Sequence, residues 1–450
     1  MIDKLSEHYT SLQRGWTVTD RMNDYGALVV PIGNADEAFH RWFRFKEAFS
    51  SRLLQQLVKE DGLDTTGRPT KVLDCFAGGG TTLVSAGDLA SATTLQVHAT
   101  GFEANPFLHL VTKTKSAAML GGNALAIELQ GLLPRIIRRC NRALATGKQI
   151  EPPALATFRN PKYFSARDLR KLLLIREAVK AEATGVARDV LLLAAASVVE
   201  QCSRLRKDGR ALRFEPSKQP LDPFAAFEAQ AANYISDVQM CALDNKSFSF
   251  EAKLGDSREL LRRSRAVHDL IVFSPPYPNN IDYTEVYKME AWYLGLYGNA
   301  RDMSAQRLAT IRSHPSVRFP DSYSFESIAA AKQITQIIGP VLGSVPQDRY
   351  TSGRIQVIKG WVDDMVQILA GARKRVDPNG RLTFIVGNSS HGAGDQQFVI
   401  ASDVLMSAVA ELLGWRVDEV RIARMTKRRL PSLYLRESVV VLRPDSEAST

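Results

Sequence analysis

Residues 71–76 (KVLDCF), running straight into AGGGTT, constrain this chain more than any other feature. A short apolar run that ends in an acid and meets clustered glycines reads as strand, tight turn and helix, because glycine lets the backbone turn sharply and pass close to a ligand. Residues 95–103 (LQVHATGFE) form the next strand-like run and end in Glu103. The pair makes a β-α-β unit, which implies a parallel sheet. Five later runs extend that sheet: 247–253 (SFSFEAK), 268–273 (HDLIVF), 381–387 (RLTFIVG), 415–423, and 437–443 (ESVVVLR). Ahead of the glycines, residues 26–32 (GALVVPI) suggest one more short strand. Residues 41–60 read as a loop and then an amphipathic helix, with Phe49, Leu53, Leu54 and Leu57 at helical spacing.

Between the two parts of the sheet the pattern changes. Residues 115–245 carry helical runs at 124–145, 166–181 and 186–201, punctuated by Pro134, Pro152, Pro153, Pro161, Pro216, Pro220 and Pro223. The expected organisation is α/β with a helical insertion: residues 1–114 hold the first part of the catalytic domain, 115–245 the insertion, 246–444 the second part, and 445–450 a disordered tail.

The glycine turn itself is Asp74-Cys75-Phe76-Ala77-Gly78-Gly79-Gly80-Thr81-Thr82. A phosphate loop would place Lys after the last glycine, whereas here two threonines follow, and Asp74 at the strand end disfavours an anion. A carboxylate there suits a cationic or hydrogen-donating ligand. Glu103, at the next strand end, can accept from both hydroxyls of a ribose. Asp74 and Glu103 together predict an adenosine-like ligand with a positive amino or sulfonium part.

Ser274-Pro275-Pro276-Tyr277 caps the apolar run 269–273. Two prolines remove two backbone donors and stiffen the loop, leaving carbonyls as acceptors only. An exocyclic NH2 on a base is a poor nucleophile because its lone pair is delocalised into the ring. Acceptors on its two hydrogens, here the Ser274 side chain and the Pro275 carbonyl, draw the nitrogen towards a pyramidal form. Tyr277 offers a flat face to a base taken out of the stack. Direct attack on a sulfonium methyl would then rest on positioning and electrostatics.

These motifs resemble the amino-methyltransferases that act on N4 of cytosine or N6 of adenine in DNA. Their cofactor motif D-x-F-x-G-x-G-T is matched by Asp74, Phe76, Gly78, Gly80 and Thr81, with Ala77 inside it; family members usually carry Pro where Cys75 stands. Glu103, in Gly101-Phe102-Glu103-Ala104-Asn105-Pro106, matches the second acidic position. The catalytic tetrapeptide [DNS]-P-P-[YFW] is matched by Ser274–Tyr277, and the Ser form is most often associated with N4-cytosine enzymes. The segment Phe45-Lys46-Glu47-Ala48-Phe49-Ser50 is similar to the element preceding the glycine loop, and Asp256 matches a position that contacts the adenine.

The resemblance implies a Rossmann-like seven-stranded methyltransferase sheet and S-adenosyl-L-methionine as cofactor, held by Lys46, Phe49, Ser50, Asp74, Phe76, Ala77, Gly78, Gly80, Thr81, Glu103, Asn105 and Asp256. It implies catalysis by Ser274, Pro275, Pro276 and Tyr277 on a base flipped out of double-stranded DNA, and a target-recognition region at 115–245. It also admits a restriction or defence-system partner, which the sequence does not name. N6-adenine, an RNA base, and a nonenzymatic nucleic-acid-binding subunit that retains the fold are the alternatives.

Charge agrees with a polyanion partner: 58 Lys and Arg against 48 Asp and Glu give +10. The candidate nucleic-acid contacts are the loop bearing Arg204, Arg206, Lys207, Arg210 and Arg213, then Asn279 and Asn280 beside the proline loop, and Lys427 and Arg428. Arg135, Arg138, Arg139 and Arg142 share helical spacing, and Arg424 lies near the C-terminal group. The four cysteines lie far apart with no CxxC, which argues against zinc or a disulfide framework and fits a reducing cytosol. None follows a proline, so cytosine C5 chemistry through a Cys nucleophile is not expected. The seven histidines show no metal-ligand spacing. No apolar leader or membrane-length run is present, so a cytoplasmic protein is expected.

Overall fold

The computed structural model describes residues 5–65, 67–207, 212–244, 246–279, 281–346, 353–392, 396–426 and 432–446. Its strands are β1 (Val18–Asp20), β2 (Thr70–Asp74), β3 (Val97–Glu103), β4 (Leu205–Lys207), β5 (Leu212–Phe214), β6 (Phe248–Leu254), β7 (His268–Phe273), β8 (Val376–Gly387), β9 (Ser389–His391), β10 (Phe398–Ile400), β11 (Trp415–Met425) and β12 (Arg436–Pro444). Eight of them form one sheet in the order β1-β11-β12-β8-β7-β2-β3-β6. Seven of the eight expected strands are in it. Its remaining member, β1, is a three-residue edge strand parallel to β11 that the sequence did not mark.

The sheet is parallel except for β12, which runs antiparallel to both neighbours, β8 and β11. Its first residues therefore stand at the same edge as the last residues of β2, β3 and β7. Alternation along the strands serves two faces. Leu73, Ile271, Phe273, Leu382 and Phe384 meet the helices Arg354–Arg373 and Ser402–Glu411, whereas Val72, Leu270, Val272 and Ile385 meet Leu53–Glu60 and Thr81–Ala92. This is the doubly covered, Rossmann-like α/β architecture.

Residues 26–32 do not form the expected strand. The amides of Leu28 and Val29 both donate to the Tyr25 carbonyl, at 2.9 and 3.1 Å, so the segment folds as turns. The region expected as an insertion is mostly helical: Pro106–Ala145, Ala166–Glu182, Gly185–Ser197 and Pro223–Met240 pack together, with the β4–β5 hairpin among them, and the first helix begins ahead of the expected boundary at 115. Asn105 caps the first of these, accepting from Phe107 and Leu108 with Pro106 next to it, and the helix breaks at Gly122. The hydrophobic core of these helices is continuous with Phe39, Trp42 and Phe43 before the glycine loop and with Trp292 and Tyr293 after the proline loop. Buried Asp237 ties them down, accepting from Trp42 Nε1 at 2.9 Å and from Arg41.

A second long excursion, between β7 and the helix Arg354–Arg373, carries the helices Lys288–Leu294, Ala300–Leu308 and Ala331–Gly343. At the C-terminus, Asp445 donates from its amide to the Gly414 carbonyl at 3.0 Å, and 447–450 of the expected tail lie outside the described residues. Among the described residues, no helix is long and apolar enough to cross a membrane.

Candidate functional site

From β2 the chain moves outward on one side to β3, and β7 returns to pair on the other side of β2, with Val72 opposite Leu270 and Leu73 opposite Ile271. The sideways order of the strands reverses between the parallel neighbours β2 and β7, and ligands of open α/β sheets bind at the carboxyl ends beside such a switch point. A cavity of about 330 Å3 lies there, lined by Asp74, Phe76, Ala77 and Gly78 and by Ser274–Tyr277. The size is at the lower end for ordinary small-molecule sites.

The glycine turn is held from beneath. Gly78 has φ 52° and Gly80 φ 83°, a left-handed region that penalises any side chain. A Cβ on Gly78 would stand 2.6 Å from the Phe45 ring, so segment 45–49 closes directly over the turn. Thr112 donates to the Gly78 carbonyl at 2.9 Å, and the buried ammonium of Lys115 donates to the Gly79 carbonyl at 2.9 Å. Desolvation pulls that ammonium down to a pKa of about 7.

Two carboxylates end the adjacent strands. Asp74 accepts from the Phe76 amide at 2.8 Å and from Thr82. Glu103 accepts from the amides of Gly78 at 2.8 Å and Asn105 at 2.7 Å. Burial raises Asp74 to about 6 and Glu103 to about 7, partly offset by those hydrogen bonds. Both line the cavity, as do Lys46, Phe49, Phe76, Ala77, Thr81, Asn105 and Asp256. Lys46 Nζ also donates to the Lys207 carbonyl at 2.8 Å. Asp256 caps the helix Ser257–Arg263 and pairs with Arg258 at 2.6 Å. Two expected ligand residues sit behind the wall: Ser50, whose amide is spent on the Leu28 carbonyl at 2.9 Å, and Gly80, which packs on Thr112.

The proline loop is pinned at two points. Trp361 Nε1 donates to the Pro276 carbonyl at 2.8 Å, and Tyr277 Oη donates to Glu437 at 3.0 Å while lying 3.2 Å from Ser274 Oγ. Ser274, Pro275, Pro276, Tyr277 and Asn279 all line the cavity. Asn279 also orders the loop, accepting from the Ile281 amide at 2.7 Å.

Other wall residues come from places the motifs do not mark. Among them are Val29 and Pro31 from the turn segment, Gln306, Thr310, Ile311, Ser313 and His314 from the second excursion, and Arg424 and Glu437 from β11 and β12. Arg424 pairs with Glu437 at 2.6 Å. A charged residue opening the apolar run ESVVVLR is the one local signal that could have flagged Glu437.

The nucleic-acid candidates divide. Arg204, Arg206 and Arg213 are exposed, and Arg206 and Arg213 stand opposite one another in the β4–β5 hairpin. Lys207 does not face solvent. It is buried, its ammonium paired with Glu290 and lying over the rings of Phe43 and Tyr287, so it does not suit a phosphate contact. On the long helix, Arg135 and Arg139 both pair with Glu182, at 2.9 Å. Arg210, Asn280, Lys427 and Arg428 lie outside the described residues. Among the described residues no group of three or more His, Cys, Asp or Glu could hold a metal ion.

The chain is similar to type II methyltransferases. It is 23% identical over 457 residues to the type II methyltransferase M.BsoBI of Geobacillus stearothermophilus, across 89% of this chain and 83% of that protein. It is 25% identical over 430 residues to the type II methyltransferase M.AvaI of Nostoc sp., across 86% and 81%, and matches M.AvaI of Anabaena variabilis equally. The likeness spans both cavity-forming loops and the helical region between them. No protein-family model and no solved structure matches the chain.

Proposed function

We propose that this protein transfers a methyl group from S-adenosyl-L-methionine to an exocyclic amine of a base in double-stranded DNA, and that the amine is N4 of cytosine. The observation that carries the reading is the shared cavity: a carboxylate-ended glycine turn on β2 and a Ser-Pro-Pro-Tyr loop on the neighbouring β7 face one space. The likeness to type II methyltransferases supports methyl transfer, and DNA follows from it together with the net charge of +10.

The residues present fit the methyl donor. Glu103 and Asp74 provide the two acceptors that a ribose and a cationic amino-acid moiety call for, and Gly78 leaves no side chain between the turn and the ligand. When bound, the cofactor supplies an electrophilic methyl on a sulfonium. Phe45, Lys46, Ala48 and Phe49 close over it, with Phe76 and Asp256 as further contacts. Ser274 Oγ and the Pro275 carbonyl accept from the amine, and Tyr277 and Tyr283 border the base. The serine at the first position of the tetrapeptide supports cytosine N4.

Residues 115–245 act as the target-recognition region, with Arg204, Arg206 and Arg213 at the phosphates. Arg206 and Arg213 stand opposite one another on the β4–β5 hairpin, with Arg206 3.8 Å from Glu215. Asn279 borders the base and orders its loop.

The test is incorporation of labelled methyl into duplex DNA and, in parallel, into total RNA. DNA should take up label with the wild-type protein. Ser274→Ala and Pro276→Ala should abolish transfer while calorimetry still shows cofactor binding. Label confined to RNA, or transfer by Ser274→Ala at the wild-type rate, would refute the reading.

A further inference from the structure

A hydroxyl group has one proton to donate. Tyr277 gives its proton to Glu437 Oε1 at 3.0 Å. The Ser274 hydroxyl lies 3.2 Å from the same tyrosine oxygen. With the tyrosine proton committed to the carboxylate, the serine must be the donor in that second bond. Ser274 then presents only lone pairs to the cavity it lines. The direction of the chain is fixed at its far end, because an ionised carboxylate can only accept.

That far end is built into the sheet. Glu437 is the second residue of β12, opposite Gly387 of β8 on one side and Arg424 of β11 on the other. The Tyr277 ring packs on Gly387, where a Cβ would stand 2.9 Å from Tyr277 Cε2. Arg424 Nε lies 2.6 Å from the second carboxylate oxygen as an ion pair. The titratable and charged groups facing Glu437 are Arg424 from β11, and Tyr277 and Tyr283 from the loop after β7.

Resting on the amine-methylation reading, we propose that Glu437 is a positioning residue that acts through Tyr277 to keep Ser274 an acceptor, and that it takes up the proton released in the reaction. As the new N–C bond forms and the C–S bond breaks, the C–S electron pair stays on sulfur as a neutral thioether. The amine nitrogen then carries a surplus proton. It passes to Ser274 Oγ, the serine proton passes to Tyr277 Oη, and the tyrosine proton passes to Glu437, which ends neutral. Burial raises Glu437 above the ordinary carboxylate range, which makes it a better proton acceptor, while the neighbouring Arg424 guanidinium favours its ionised form. Water restores the starting state after product leaves.

The experiment is the single-turnover rate of methyl transfer to mixed-sequence duplex DNA as a function of pH, at S-adenosyl-L-methionine concentrations that saturate the site at every pH, for wild type, Glu437→Gln, Tyr277→Phe and the double variant. Calorimetric titration of S-adenosyl-L-methionine runs alongside. The wild-type rate should fall on the acid side as Glu437 protonates. Each single variant should be about 100-fold slower, lose that acid limb, and bind the cofactor within about twofold of wild type. The double variant should be no slower than either single one, because both break the same chain. If Glu437→Gln does not fold, Tyr277→Phe alone must lose the acid limb. An acid limb retained in the variants, or additive losses, overturns the inference while leaving the methylation reading standing. A wild-type protein that labels no DNA overturns both.

Discussion

Asp74 and Glu103 are held at a cost that the folded protein bears for its site. An acid at about 7 instead of the usual 4.5 destabilises the folded state by roughly 3 kcal/mol at pH 8. The sign follows from proton uptake. Between about pH 4.5 and 7 the folded protein binds more protons than the unfolded chain, so stability falls as pH rises through that window. The thermal midpoint should therefore rise as pH is lowered from 8 to 6. Glu103→Gln should show a visibly flatter dependence in calorimetric scans. Equal slopes in the two proteins would contradict a buried, ionised Glu103. Cofactor affinity should move the opposite way, weakening below pH 7 as the carboxylate loses its charge. Both acids were legible in the sequence because each ends a run whose apolar pattern marks a strand. Glu437 was not. Its neighbours in the site, Ser274 and Tyr277, are remote in sequence, and only the pairing of β12 with β8 brings them together. Lys207 misled for a related reason: it belongs to a basic run, and only the fold turns its side chain inward onto Glu290.

At the scale of elements, strands buried on both faces announced themselves, whereas short pieces did not. The three-residue β1 has too few positions for a pattern, and the apolar run at 26–32 is spent lining the cavity and covering the helices beside it. The second excursion was missed because its helices carry no motif, yet it supplies Ile311, Ser313 and His314 to the wall. Arg312, between them, fastens that wall. Its backbone amide donates to Asp364 at 2.7 Å, its Nη2 to the same carboxylate at 2.7 Å, and it also pairs with Asp363. Asp364 in turn pairs with Arg258, which holds Asp256. Replacing Arg312 by Met leaves two buried carboxylates short of a counter-charge. The expected loss is about 3–5 kcal/mol in urea unfolding, with weaker cofactor binding through Asp256. A loss below about 1 kcal/mol, the range of exposed pairs, would show that the network does not hold the wall.

Across the whole molecule, the chain builds one cleft from parts separated by the entire insertion: the segment 45–49, the turns after β2 and β3, the loop after β7, and the reversed β12. The order of the two motifs was legible, as was the helical character of the insertion, since both rest on local patterns. A target sequence was not, because its recognition would depend on side chains placed by tertiary packing. On the proposed reading, the facing strand ends at one cleft place a methyl group on an exocyclic nitrogen, and the product itself reports it. The direct measurement is to incubate duplex DNA with the protein and labelled S-adenosyl-L-methionine, digest to nucleosides, and identify the labelled species by mass spectrometry. The expected product is N4-methylcytosine with wild type and none with Ser274→Ala. Recovery of the label as 5-methylcytosine, or an undiminished yield with Ser274→Ala, would contradict the account.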